Sequence, residues 1–252
     1  MSTWILIMGL SRDSRHWQPF PHLLQKHFPD SFVITPDLPG TGSLFRGKSP
    51  TSIYGMLAFY RDSLNRQDIP PPYYVIGLSM GGMVALDWVQ RFPDEIQATV
   101  LINTSARPFC PFYRRLRYEN YWTQLREIVW RRTVPQREAV IFDLVCRLYP
   151  DKKGLVARWA QYQYDKPISN INATRQLFAA AKYRSVSEAP QRPTLVLCSE
   201  QDRLVHPSCS QQLAESLRLE IRVHREAGHE LPIDDASWVV EQIIDWLPSQ
   251  RT

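Results

Sequence analysis

A chain of 252 residues, 44% of them hydrophobic, is long enough to bury the core of one large domain. No apolar run approaches the ~18 residues of a membrane-spanning helix, and no nucleic-acid recognition motif accompanies the net charge of +5. The four cysteines, Cys110, Cys146, Cys198 and Cys209, lack metal-ligand spacing, and no H-E-x-x-H pair occurs. They read as reduced thiols. The short apolar N-terminal run has no basic leader and is needed as a strand, so the expectation is a cytoplasmic protein without metal or other cofactor.

In chain order, Trp4-Ile5-Leu6-Ile7-Met8-Gly9-Leu10 reads as a first strand running into its loop. The loop Ser11 to Trp17 follows, with Trp17 placed either in the core or on a substrate wall. Six strand candidates emerge, at 3–8, 31–35, 73–78, 98–103, 193–198 and 219–224. Helical patterns separate them, which argues for an α/β fold with a doubly wound, mostly parallel sheet. The Pro-rich Ile69-Pro70-Pro71-Pro72 is a rigid entrance to the third strand.

Directly after that strand comes Gly77-Leu78-Ser79-Met80-Gly81, followed by the helical pattern Gly82 to Val89. Strand, sharp turn and helix are the context a G-x-S-x-G needs to make an exposed nucleophile. The turn forces Ser79 into a strained conformation, and the flanking glycines remove Cβ atoms that would clash in so tight a reversal. The helix N-terminus offers N–H groups and a partial positive charge to a developing oxyanion.

On these residues the chain resembles the α/β-hydrolases over almost all its length apart from a central insertion. The resemblance implies an acid and a histidine later in the chain. Ser199-Glu200-Gln201-Asp202-Arg203-Leu204-Val205, after the fifth strand, is similar to the family's acid loop. Ala227-Gly228-His229-Glu230, after the sixth, is similar to its histidine loop. By that resemblance Ser79 is the nucleophile, His229 its general base, and Asp202 the group that fixes the imidazole. Glu200, nearer the strand end, is the rival acid. Of the other histidines, His224 falls in a strand, His206 precedes Pro207, and His16, His22 and His27 come too early in the chain order. The oxyanion hole is assigned to the N–H groups of Leu10 and Met80, with Gly9 or Ser11 as alternatives to Leu10. The family's usual His-Gly is here Met8-Gly9. Asp37-Leu38-Pro39-Gly40-Thr41-Gly42 matches the family's usual turn, with Asp37 in a structural role. The family commonly begins with a further antiparallel pair; here a shortened sheet is expected, with the first strand near its middle.

Between Ser105 and Pro193 lie more than eighty residues, where a helical crossover needs far fewer. This is the family's insertion point for a helical cap, assigned to residues 107–184 between core segments 1–106 and 185–252. Its helical faces are read as Tyr121, Trp122, Leu125, Ile128 and Val129; Val140, Ile141, Leu144, Val145 and Leu148; Trp159 with Tyr162; and Ile171 with Leu177 and Phe178. Residues 107–184 carry 16 Lys/Arg against 6 Asp/Glu. This bias reads either as a solvated surface or as steering of an anionic partner, with Arg114, Arg115 and Arg117 as candidate contacts. Candidate partners are a coenzyme A thioester, an acyl carrier protein or an anionic lipid surface, and not nucleic acid. The implied activity is a serine hydrolase of carboxylic esters or thioesters, most like small capped esterases similar to the pimeloyl-carrier methyl-ester esterase group. A C–C bond hydrolase or lyase with the same triad, and a non-catalytic receptor, are the alternatives.

Overall fold

Runs of Ile, Leu and Val form strands whose side chains alternate between two buried faces. In the computed structural model, which describes residues 2–117 and 133–247, β1 is Ser2–Ile7, β2 Ser31–Ile34, β3 Tyr73–Leu78, β4 Ile96–Ile102, β5 Thr194–Ser199 and β6 Glu220–His224. They form one parallel sheet in the order β2-β1-β3-β4-β5-β6. On one face Ile5, Ile7, Val75, Leu101 and Val196 pack against α2 (Ile53–Arg66), α3 (Met80–Arg91) and α8 (Ser208–Leu217). On the other, Trp4, Leu6, Ile76, Val100, Leu195 and Leu197 meet α1 (Phe20–His27) and α10 (Ala236–Trp246). The sheet is therefore doubly wound.

The first strand lies second from the edge, not near the middle, which β3 and β4 occupy. From β1 the chain steps outward to β2 and then returns across β1 to build the rest of the sheet. The order reverses between β1 and β3, which opens a crevice at their carboxyl ends.

Between β4 and β5 the described helices are α4 (Phe112–Arg115), α5 (Val134–Val145), α6 (Lys152–Asp165) and α7 (Asn170–Lys182). The two ends of this insertion meet where Arg107 bridges Arg184 and its carbonyl accepts from Ser185 N–H at 2.8 Å. Phe142, Val145, Leu155, Val156 and Trp159 form its core, with Ile233 of α9 (Leu231–Asp234). The sequence assignment of these faces needs correction. Leu148 lies past the end of α5 and is exposed, while Glu138 and Phe142 point inward. On α7, Ile171, Leu177 and Phe178 face outward and the buried face is Asn172, Gln176, Ala179 and Ala180. The reason is the surface beneath: loop 39–49 presents backbone groups that need amide partners. Asn172 accepts from Ser49 N–H at 3.0 Å and donates to Gly47 C=O at 2.9 Å. The proposed face through Tyr121, Trp122, Leu125, Ile128 and Val129 lies outside the described residues.

Cys110 and Cys209 form a disulfide, Cα atoms 5.2 Å apart, which ties the insertion to α8; Cys146 and Cys198 are free and buried. Two of the four thiols expected to be reduced are thus paired. At a sequence separation of 99, the pairing depends on tertiary packing that spacing does not reveal. The cysteine-based argument for a cytoplasmic location no longer stands. Among the described residues no helix is long and apolar enough to cross a membrane.

Candidate active site

Ser79 adopts φ 56° and ψ −115° between β3 and α3, a conformation costing about 1–3 kcal/mol for a residue with a Cβ. Backbone bonds hold it there. Its N–H donates to Ile102 C=O at 2.8 Å, and its carbonyl accepts from Thr104 Oγ1 at 2.7 Å and Gly82 N–H at 3.0 Å. A Cβ on Gly77 would collide with the Gly81 carbonyl, and one on Gly81 with the Ile7 carbonyl. The glycines of the motif therefore let strand, turn and helix cross at backbone contact. Gly9 extends this packing to the next loop: a Cβ there would lie 3.2 Å from Ser79 Cβ and 3.8 Å from its Oγ. The β1 loop thus passes directly beside the serine, at the crevice where the strand order reverses.

Asp202 follows β5 and His229 follows β6, so all three residues sit at the same edge of the sheet. Both are 2% exposed, and Asp202 Oδ2 lies 2.6 Å from His229 Nδ1. The other carboxylate oxygen accepts from Leu204 N–H at 2.8 Å and Val205 N–H at 2.9 Å. Glu200, the rival acid, is exposed; its N–H donates to His224 C=O at 2.9 Å, alongside the edge strand. Burial works against protonation of His229. The charge and hydrogen bond of Asp202, with the charge of Glu230, more than offset it, and the imidazole pKa lies above its usual 6.5. A base acts in its neutral form. Turnover is therefore expected to rise with pH through an inflection above 6.5, and a kcat/KM profile flat across that range would exclude a His229 base.

Several supports escaped sequence reading. Asn103, at φ 45° after β4, donates to His229 C=O at 2.8 Å and to Ser199 Oγ at 2.9 Å, and accepts from Ser199 N–H at 2.7 Å. It ties the ends of β4 and β5 to the histidine loop. Asp234 accepts from Gly228 N–H at 2.7 Å, and Glu230 N–H donates to Val145 C=O at 2.9 Å, joining that loop to the end of α5. An asparagine after a strand, or an aspartate at the end of a short helix, looks like a turn residue in sequence, and nothing local distinguishes these two.

Other predicted residues are placed differently. Trp17 is 1% exposed and packs in the core beside Phe20, the first of the two placements expected for it. Arg115 is buried, donating to Ala180 C=O at 2.7 Å and Ala181 C=O at 3.3 Å in the last turn of α7. Desolvation lowers its pKa to about 10. Arg117 Nη1 donates to Asp202 C=O at 3.1 Å, and Arg114 Nη1 to Ser208 Oγ at 3.3 Å. Arg114 and Arg117 thus join the insertion to α8 and the acid loop, while Arg115 ties α4 to α7 and to Ser105 Oγ; the three do not form one open patch. Leu10 is half-buried and Met80, the first residue of α3, is buried. Asp37 accepts from Ser14 N–H and Ser43 N–H at 2.8 and 2.7 Å, in keeping with a structural turn.

A sequence model described as "Alpha/beta hydrolase family" matches residues 5–242. The chain belongs to that family. Among curated proteins, this α/β-hydrolase is 28% identical over 233 residues to "Putative carbamate hydrolase RutD" of Yersinia enterocolitica, covering 85% of this chain and 76% of the other. Among solved structures it is similar to a thermophilic esterase from Thermogutta terrifontis (TM-score 0.74, 23% identity, 98% and 89% of the two chains). It is also similar to the enol-lactonase from Burkholderia xenovorans LB400 (TM-score 0.75, 20% identity, 98% and 92%). These structural likenesses bear on the fold.

Proposed function

We propose that this α/β-hydrolase is a serine hydrolase that cleaves a carboxylic ester or thioester through an acyl-enzyme. The observation carrying this reading is the buried Asp202–His229 pair, 2.6 Å apart, at the same sheet edge as the strained Ser79. His229 Nε2 takes the Ser79 proton as Oγ attacks the carbonyl, and Asp202 stabilises the imidazolium. The N–H groups of Leu10 and Met80 receive the oxyanion. His229 then protonates the leaving group and activates the water that releases the acid. Residues 107–184 serve as a cap. A panel of p-nitrophenyl esters of increasing chain length, with acyl-CoA thioesters alongside, tests the reading. Failure to turn over any of them, in a folded protein that fluorophosphonate does not label, would refute it.

The RutD likeness favours a second substrate class, since the same attack on a carbamate carbonyl gives a carbamoyl-enzyme. Adding an aryl carbamate to the panel separates the two readings by the faster turnover.

Exposed cations of the insertion, among them Arg137, Arg147, Lys153 and Arg158, would steer an anionic carrier to the cap. Salt screens such steering over about 8–10 Å. Raising salt should therefore increase KM for an acyl-CoA while leaving a neutral ester unaffected. Equal responses of the two substrates would end the steering reading.

A further inference from the structure

We infer that Gln176, on α7 of the insertion, is a positioning residue for the oxyanion loop. The inference rests on the proposed reading of Leu10 N–H as an oxyanion donor. Leu10 lies between two fixed neighbours. On one side Gly9 presses against Ser79. On the other, Ser11 has φ 57°, the left-handed region that a residue with a Cβ rarely enters. Its N–H donates to Gln176 Oε1 at 2.8 Å. Gln176 is 0% exposed, and its own amide is held at the other end by a 3.1 Å bond from Nε2 to Ser49 Oγ. Ser49 Oγ in turn donates to Pro39 C=O at 2.7 Å.

Without an acceptor at that point, the half-buried Ser11 N–H would lose its partner, and the peptide would rotate toward an ordinary φ. Rotation there moves the adjoining Leu10 peptide away from Ser79. The next residue has a second, independent hold from the same insertion. Arg12 Nη1 donates to Glu138 Oε2 of α5 at 2.8 Å, and its guanidinium lies 4.4 Å over the Trp159 ring of α6. Three helices of the insertion thus fix two consecutive residues of the loop. The insertion shapes the donor set, in addition to any role in covering a substrate.

Gln176→Met keeps the side-chain length and removes the strong acceptor; Gln176→Glu keeps an acceptor for Ser11. Misplacing one donor affects the charge that develops in the transition state more than ground-state binding. For a small neutral ester, Gln176→Met should lower kcat by about 10- to 100-fold, approaching the loss on deleting an oxyanion donor, with KM essentially unchanged. Inhibition by a trifluoromethyl ketone, whose serine adduct carries an oxyanion, should weaken in parallel. Gln176→Glu should recover most of the activity. Hydrogen exchange supplies a readout in the parent protein: the Ser11 amide should be protected there and exchange faster in Gln176→Met. A folded Gln176→Met with parental kcat, or an unprotected Ser11 amide in the parent, overturns the inference. Fluorophosphonate labelling of Ser79 distinguishes the two failures. A parent that neither labels nor turns over ester defeats the hydrolase reading and this inference with it. A labelled parent alongside a fully active Gln176→Met defeats only the positioning role.

Discussion

Ser79→Ala is expected to lower ester turnover by about six orders of magnitude, the loss found when the serine of such a triad is deleted. The protein should stay folded, because the described bonds holding the elbow are backbone bonds of residue 79, to Ile102 C=O, Thr104 Oγ1 and Gly82 N–H. Alanine retains all of them, and its Cβ occupies the same position beside Gly9. The left-handed φ costs alanine about what it costs serine, so melting should change little. The measurement is paired: burst-phase hydrolysis of a p-nitrophenyl ester, and labelling by a fluorophosphonate followed by peptide mapping. Labelling should fall on Ser79 in the parent and vanish in the variant. Persistent labelling of a folded Ser79→Ala protein would place the nucleophile elsewhere.

The elbow was legible in the sequence because its requirements are local. Gly77, Ser79 and Gly81 must stand two residues apart, and strand and helix patterns flank them directly. The six strands were legible for a similar reason, since runs such as Leu195 to Cys198 are apolar on both faces of a covered sheet. Strand order was not legible, because it depends on which way each crossover turns. Helix α7 departs from the rule that apolar residues face inward. Its partner is the polar loop 39–49, whose backbone groups and Ser49 hydroxyl favour Asn172 and Gln176 over Ile171 and Phe178. The arginines of α4 misled through charge. Their count suggested a surface, whereas Arg115 ends among the carbonyls of α7. In both cases the deciding partner is more than fifty residues away in sequence.

Asp202→Asn is expected to reduce kcat/KM by about 10⁴-fold, the loss produced by the same change in a comparable triad, whereas Glu200→Gln should have little effect. The acid loop dictates how the substituted amide must sit. One carboxylate oxygen of Asp202 already accepts from the N–H groups of Leu204 and Val205. An amide NH2 in that place would face two donors, so the amide oxygen of the variant must occupy it. The NH2 is then directed at His229 Nδ1, which lies 2.6 Å from Asp202 Oδ2 in the parent. A donor there needs an acceptor, so Nδ1 loses its proton and Nε2 carries it. The imidazole then presents N–H to Ser79 and can no longer take the serine proton. Removing the carboxylate charge also removes the principal influence holding the His229 pKa up against burial. The pH inflection in kcat/KM should therefore move downward in the variant along with the drop in rate. Glu200 is exposed on the edge-strand side and holds no described bond to His229, so neither effect should follow from its replacement. If Glu200→Gln proves the more damaging change, or if Asp202→Asn leaves the inflection in place, Asp202 is not the acid that orients His229.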